Sequence, residues 1–171
     1  AVAKMQKKVG RAAIITNGSP LFSGNTTSGE SQIRRYLLDN DLVEAISHLR
    51  PYSRCHSAIA IYAFILSKGK RNERKGKVQF IDATDVWAPL KRSLGKKRRE
   101  ISKEQITLIT EMYADFKPCK RTIWDEKRKH DCVIESKIFD CEEFLYREWS
   151  VYQPLQRSGA INTTTIEALR D

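Results

Sequence analysis

At 171 residues, 40% of them hydrophobic, the chain is long enough for one ordinary domain with its own core. Its formal net charge of +10 is local: Lys68 to Lys77, Lys91 to Arg99 and Lys117 to Lys129 each carry six Lys/Arg, together net +15, which leaves −5 for the remainder. Clustered positive charge suits a polyanion; no run approaches the roughly 18 to 20 apolar residues of a membrane-spanning helix, and Ala1 to Met5 carries no apolar signal region, so a cytoplasmic chain is expected.

In chain order, Val2, Met5 and Val9 share one face, and Ala1 to Val9 reads as the last turns of a helix stopped at Gly10. Arg11 to Thr16, apolar between Gly10 and the turn pair Asn17-Gly18, predicts a strand covered on both faces. Asn17 to Ser31 is polar and rich in Gly, Ser and Thr. It reads either as a ligand-binding loop at the carboxyl edge of an open sheet or as a connector, and Gly18-Ser19-Pro20 with Gly24 does not form a phosphate fingerprint. Ile33, Tyr36 and Leu37 then recur at helical spacing, with Asn40 placed to end the helix.

Leu42 to Ile46 gives a second strand, and Ser57 to Leu66, ten residues without a charge, a third that is expected at the centre of the sheet. Lys68 to Gly76 reads as a basic hairpin-like connection to a strand at Lys77 to Asp82, expected beside the third. These alternations predict an α/β fold with a mixed, mostly parallel sheet, Ile33 to Asn40 packed across one face.

Further on, Ser102-Lys103-Glu104-Gln105 fits a capping box with Ile101 and Ile106 as hydrophobic staple, and Ile106, Ile109, Met112, Tyr113 and Phe116 form the apolar face of the helix it starts. Lys117 to Asp131, charged and aperiodic, reads as a surface loop. Short strands are expected at Ser136 to Asp140 and Leu145 to Tyr152, and a terminal helix at Asn162 to Asp171.

Residues with chemical potential are few. Cys55, Cys119, Cys132 and Cys141 show no disulfide framework and read as reduced thiols. Structural zinc sites favour paired ligands two to four residues apart; only His130 and Cys132 lie close, so no metal is expected. His48, His56 and His130 have no acid partner at a recognisable spacing and read as surface histidines. Lys91, Arg92, Lys96, Lys97, Arg98 and Arg99 are the candidate nucleic-acid contacts, the alternative being a solvated loop, because cations just before a helix N-terminus are opposed by its dipole and need another partner. A non-enzymatic basic module that binds nucleic acid is one function class this pattern supports.

A second class comes from a resemblance. Gly10 to Ile15, Asn17-Gly18, Leu21-Phe22 and Ile33 to Leu38, followed by Leu42 to Ile46, Lys77 to Ala83, Leu94 to Ser102, Ile138 to Asp140 and Tyr146 to Trp149 before Pro154-Leu155, are similar in order and spacing to the modification subunit of type I restriction-modification systems. The resemblance implies a Rossmann-like adenine-N6 DNA methyltransferase that uses S-adenosylmethionine and assembles with specificity and restriction subunits on DNA. The family's glycine-rich cofactor loop and Asn-Pro-Pro-aromatic motif are absent from this sequence, whose five prolines are all isolated. The resemblance therefore covers the C-terminal part only: residues 1–90 as the second half of a methyltransferase-like domain, a partial Rossmann-like sheet with flanking helices, and residues 91–171 as a C-terminal extension. Such a fragment is expected to hold no cofactor and to be inactive alone. Where the family has Leu-Pro and then an aromatic-rich segment ending in Asn-Thr-Gly-Ile, this chain has Ser47 to Ser57, of the same length and different content. A reading-frame slip and plain divergence both account for that, and Tyr52, displaced from the position where the family has its aromatic, is the candidate to stack on a flipped base.

Overall fold

The computed structural model describes residues 2–49, 60–94, 97–126, 128–144 and 151–153, without the side chains of residues 91, 93, 94, 97 and 98. The strands are β1 (Arg11–Thr16), β2 (Val43–Leu49), β3 (Ile61–Ser67), β4 (Lys77–Ala83), β5 (Ala88–Leu94), β6 (Lys97–Glu100), β7 (Cys119–Asp125) and β8 (His130–Asp140), and the helices α1 (Ser19–Phe22), α2 (Gly29–Asp39) and α3 (Lys103–Asp115). One sheet runs β1-β3-β2-β4-β8-β7, and among the described residues β5 pairs only with β6.

The sheet is α/β but not mostly parallel. β2 with β4 is its parallel pair, and its other pairings are antiparallel. Although β1, β2 and β4 run the same way, β3 returns between β1 and β2. The charge-free β3 is therefore not central; β2 and β4 are. Its expected neighbour β4 lies on the far side of β2, so the basic connection after β3 is a crossover and no hairpin.

Buried cations direct that crossover. Lys70, its side chain 2% exposed, bonds Asp41 at the entrance to β2. Arg74, 3% exposed, reaches Glu44 inside β2 at 3.6 Å. Together they draw the chain past the end of β2. Two of the basic residues in Lys68 to Lys77 are thus internal ties, closed to a polyanion.

Alternate residues of the strands pack against two layers. Ile81, Ala83, Val86 and Ile134 meet Met112 of α3 on one face, while Val43, Ile46, Leu66 and Val78 meet α1, α2 and the 3-10 turn Cys141–Phe144 on the other. An irregularity between Val43 and Ala45 lets Val43 and Ile46 point the same way. Across the middle, Gln79 is fully buried and satisfied, donating to the Met112 carbonyl and Ser136 Oγ at 2.9 Å each and accepting from Arg74 at 3.2 Å.

The capping box is present in full: Ser102 Oγ accepts from the Gln105 amide at 3.3 Å and Gln105 Oε1 accepts from the Ser102 amide at 3.0 Å. At the other end Phe116 turns left-handed, φ 44°, with its ring 4.3 Å from the Arg74 guanidinium. Arg74 also donates to the Tyr113 and Ala114 carbonyls, acceptors that a helix end leaves without intrahelical partners. Tyr113 beside it is pushed up to about 12 by burial and by hydrogen bonding to Glu44. Ile106, expected on the buried face, is 53% exposed, because the core reaches only Leu108, Ile109, Met112 and Tyr113 of this helix.

Other expectations shift. The start of the chain is a 3-10 turn, Val2–Lys4, rather than a helix end. The polar stretch before Ile33 already contains α1 and the start of α2, whose cap is Ser28. Lys117 to Asp131 is no loop but holds β7 and the turn into β8. Its charges are those of an edge strand, which solvated cations keep from pairing further. Most of the expected strand at Leu145 to Tyr152 and all of the helix at Asn162 to Asp171 lie outside the described residues, as do residues 57–59 of the third expected strand.

Removing one partner of a buried ion pair strands the other. Arg74→Met is expected to cost about 3 kcal/mol, and the double variant with Glu44→Gln markedly less. Urea unfolding of the three proteins checks this; a single variant within about 0.5 kcal/mol of the parent contradicts it.

Candidate nucleic-acid interface

The chain leaves β4 through Val86, 2% exposed, which anchors the connection in the α3 layer before the buried Ala88 opens the β5–β6 hairpin. The hairpin pairs Ala88 with Glu100, Pro89 with Arg99 and Leu94 with Lys97, with an irregular register between. It carries the sequence-predicted cations: Lys91 and Arg92 on β5, Lys97, Arg98 and Arg99 on β6. Arg92 is exposed. Arg99 lays its guanidinium 4.5 Å from the Trp87 ring centre. Lys96 and the candidate base-stacking Tyr52 lie outside the described residues.

The structure adds residues that no local signal marked. Arg128, in the β7–β8 turn and only 9% exposed, stands 4.4 Å over the same Trp87 ring. It donates to the Asp85 carbonyl at 2.7 Å, Asp85 Oδ1 at 3.3 Å and Asp125 Oδ2 at 3.1 Å. Burial alone would lower its pKa, but hydrogen bonding to Asp125 and to the charged Asp85 outweighs that and raises it. Asp85 Oδ2 accepts the Val133 amide at 3.0 Å, which fastens the same connection to β8. Two basic segments far apart in sequence thus meet at one tryptophan.

Histidines that read as unpartnered do have acids nearby. His130 Nε2 lies 3.7 Å from Asp85, and His48 Nδ1 3.9 Å from Asp82. His48 also stacks on Tyr62 at 4.4 Å. Strand pairing brings His48 to Asp82 and Tyr62, and the β7–β8 turn brings His130 to the connection after β4, which linear spacing cannot reveal. The cysteines are dispersed: Cys119 against Met112, Cys132 beside Arg128, Cys141 beside Asp41. Burial pushes the Cys132 and Cys141 thiols up, away from the thiolate that a metal would need.

On the opposite face from α3, a half-open cavity of about 1310 Å³ lies beside the contacts of α1 and α2 with the sheet. Ile14, Ile46, Phe64 and Phe80 form its floor, and Arg34 and Glu30 stand at its wall.

Residues 1–143 match the family described as N-6 DNA Methylase. The chain belongs to that family. It is 35% identical over 135 residues to the type I restriction enzyme MjaVIII methylase subunit of Methanocaldococcus jannaschii, a match that covers 75% of this chain and 22% of the relative. It is 32% identical over 139 residues to the MjaVII methylase subunit of the same organism, with 78% and 22% covered. Among solved structures, it superposes on the methyltransferase subunit of a type I restriction-modification system from Streptococcus thermophilus with TM-score 0.58 at 23% identity, covering 78% of this chain and 24% of the other. It superposes on the EcoKI M protein with TM-score 0.52 at 16% identity, covering 82% and 33%. Those two likenesses establish the fold. The chain spans about a fifth of the length of the two curated relatives.

The family implies S-adenosylmethionine in the intact enzyme, and among the described residues the loop after β1 offers no glycine-rich cradle for it. Asn17 Oδ1 takes the Ser19 amide at 3.2 Å, so the loop after β1 is closed on itself. α1 has four residues and begins Ser19-Pro20, which leaves no free row of amides for an anion. Glu30, the acid at the cavity wall, is held low in pKa by its own backbone amide and Ser28 at the start of α2.

Proposed function

We propose that this chain is the C-terminal part of the modification subunit of a type I restriction-modification system, which in its intact form transfers a methyl group from S-adenosylmethionine to adenine N6 in DNA. The observation that carries the reading is the open side of β1. This strand ends the described sheet, is apolar through Ala12 to Ile15, and leaves Ile14 and Ile15 38% and 44% exposed. Natural edges are blunted by charge, proline or a bulge, and this one carries only Arg11. It suits a strand that pairs with further sheet, as the 22% share of the relatives' length also suggests.

On this reading residues 1–90 form the second half of a cytoplasmic methyltransferase domain and residues 91–171 its extension. The specificity and restriction subunits are the partners. Lys91, Arg92, Lys96, Lys97, Arg98 and Arg99 touch the DNA backbone, and Tyr52, in the sequence between β2 and β3, is the candidate for base stacking. A non-enzymatic nucleic-acid module is the second reading, favoured by a basic hairpin that stands outside the six-stranded sheet. The cofactor and catalytic motifs belong to the rest of the subunit, so the chain alone is expected to give no saturable heat on titration with S-adenosylmethionine. Saturable binding by the isolated chain contradicts the fragment reading.

Binding of the DNA backbone by the cluster makes a separate prediction. Neutralising Lys96, Lys97, Arg98 and Arg99 together should flatten the dependence of log DNA affinity on log salt by about 0.9 for each phosphate no longer neutralised, without changing preference among sequences. An unchanged slope assigns the cluster to a protein partner or to solvent.

A further inference from the structure

Among the described residues the β5–β6 hairpin has no strand of the main sheet beside it, and an isolated two-stranded hairpin is at best marginally stable in water. Something must fix its direction for its cations to act as a unit. Arg128 is buried against Asp85 and Asp125, both carboxylates within 3.3 Å, so its charge is already matched inside the protein. What it presents outward is a flat, immobilised guanidinium 4.4 Å from Trp87. Trp87 in turn holds Arg99, directly across from Pro89 at the hairpin's base, at 4.5 Å. The linkage runs from the sheet through Asp85 and Arg128 to Trp87, and from Trp87 to the basic hairpin.

We infer that Trp87 is a positioning residue for nucleic-acid binding: it locks the β5–β6 hairpin onto the β7–β8 turn so that the hairpin cations meet successive phosphates of one backbone together. The inference rests on the nucleic-acid reading of that hairpin. A planar aromatic face is suited to the task because it attracts two guanidinium groups without neutralising either. An acid at this position would fix Arg99 equally well but would subtract a charge from the surface that must attract phosphate. Lys129 and His130, exposed beside Arg128, extend the surface along the turn.

The test uses the full chain and a duplex of unrelated sequence, with affinity measured across a salt series for the parent, Trp87→Ala, Trp87→Phe and Arg99→Lys. None of these substitutions changes net charge, so a purely electrostatic account leaves all four slopes equal. The clamp instead flattens the slope of Trp87→Ala by the equivalent of at least one phosphate, about 0.9, and leaves Trp87→Phe near the parent. Arg99→Lys, which keeps the charge but loses the planar stack and does not disturb the core, flattens it likewise. It therefore decides the matter even where Trp87→Ala folds poorly. Parent-like slopes in both Trp87→Ala and Arg99→Lys, while the cluster-neutralised protein shows a flattened one, overturn the clamp alone. A cluster-neutralised protein with the parent's slope overturns the underlying nucleic-acid reading, and the clamp's role with it.

Discussion

The fold hangs on the guanidinium of Arg74. From a short 3-10 turn at Asn72–Arg74 it reaches β2 through Glu44, β4 through Gln79 and the end of α3 through the Tyr113 and Ala114 carbonyls, and it lies over the Tyr113 and Phe116 rings. A cation so deeply buried persists only when its charge and its donors are met, and here the partners come from three different elements. That requirement fixes three things at once: the crossover of the chain past β2, the seating of α3 against the sheet, and the left-handed exit at Phe116 that points the chain into β7. Such a backbone conformation costs roughly 1 kcal/mol or more for a non-glycine residue, offset here by the ring's contact with Arg74.

Once α3 is seated, Met112 closes the core over Ile81 and Ile134, and the segment from Ala83 to Ala88 has a floor to lie on. Asp85 and Trp87 then project from a stretch anchored by buried Val86 and Ala88. The position of the basic hairpin thus depends on packing begun some distance away. The opposite face is held less completely. α2 contributes no fully buried residue, Ile33 and Tyr36 are 62% and 56% exposed, and the cavity beneath it remains half open. An apolar groove beside an apolar free strand is the surface that an incomplete domain presents, in keeping with the proposal that more of the sheet and its helices cover it.

Local signals were legible in the sequence and long-range pairings were not. The capping box at Ser102 and Gln105 and the strands β1, β2 and β4 depend on neighbours within a few residues, and their periodicity located them. Strand order is different, because nothing in the apolar run of β3 specifies that it inserts between β1 and β2. The acids that draw the crossover past β2, Asp41 and Glu44, lie about thirty residues upstream of the cations they bind. β7 was hidden by its own charges, since an edge strand and a solvated loop share a composition. In the candidate interface the cluster itself was evident from charge, but its hairpin geometry was not. Trp87, Asp85 and Arg128 acquire meaning only where the β7–β8 turn folds back on the β4–β5 connection.

The central claim is that β1 is an interior strand of a larger sheet whose remainder lies in the rest of the modification subunit. Hydrogen exchange of the β1 amides, measured on the chain alone and on the chain combined with the upstream part of its subunit, tests it most directly. Those amides of Arg11 to Thr16 that point away from β3 have no described strand to bond and are expected to exchange quickly in the isolated chain, then to slow by orders of magnitude in the combined protein. Unchanged fast exchange at those amides in a combined protein that methylates adenine would contradict the account, since the sheet would then end at β1 in the working enzyme.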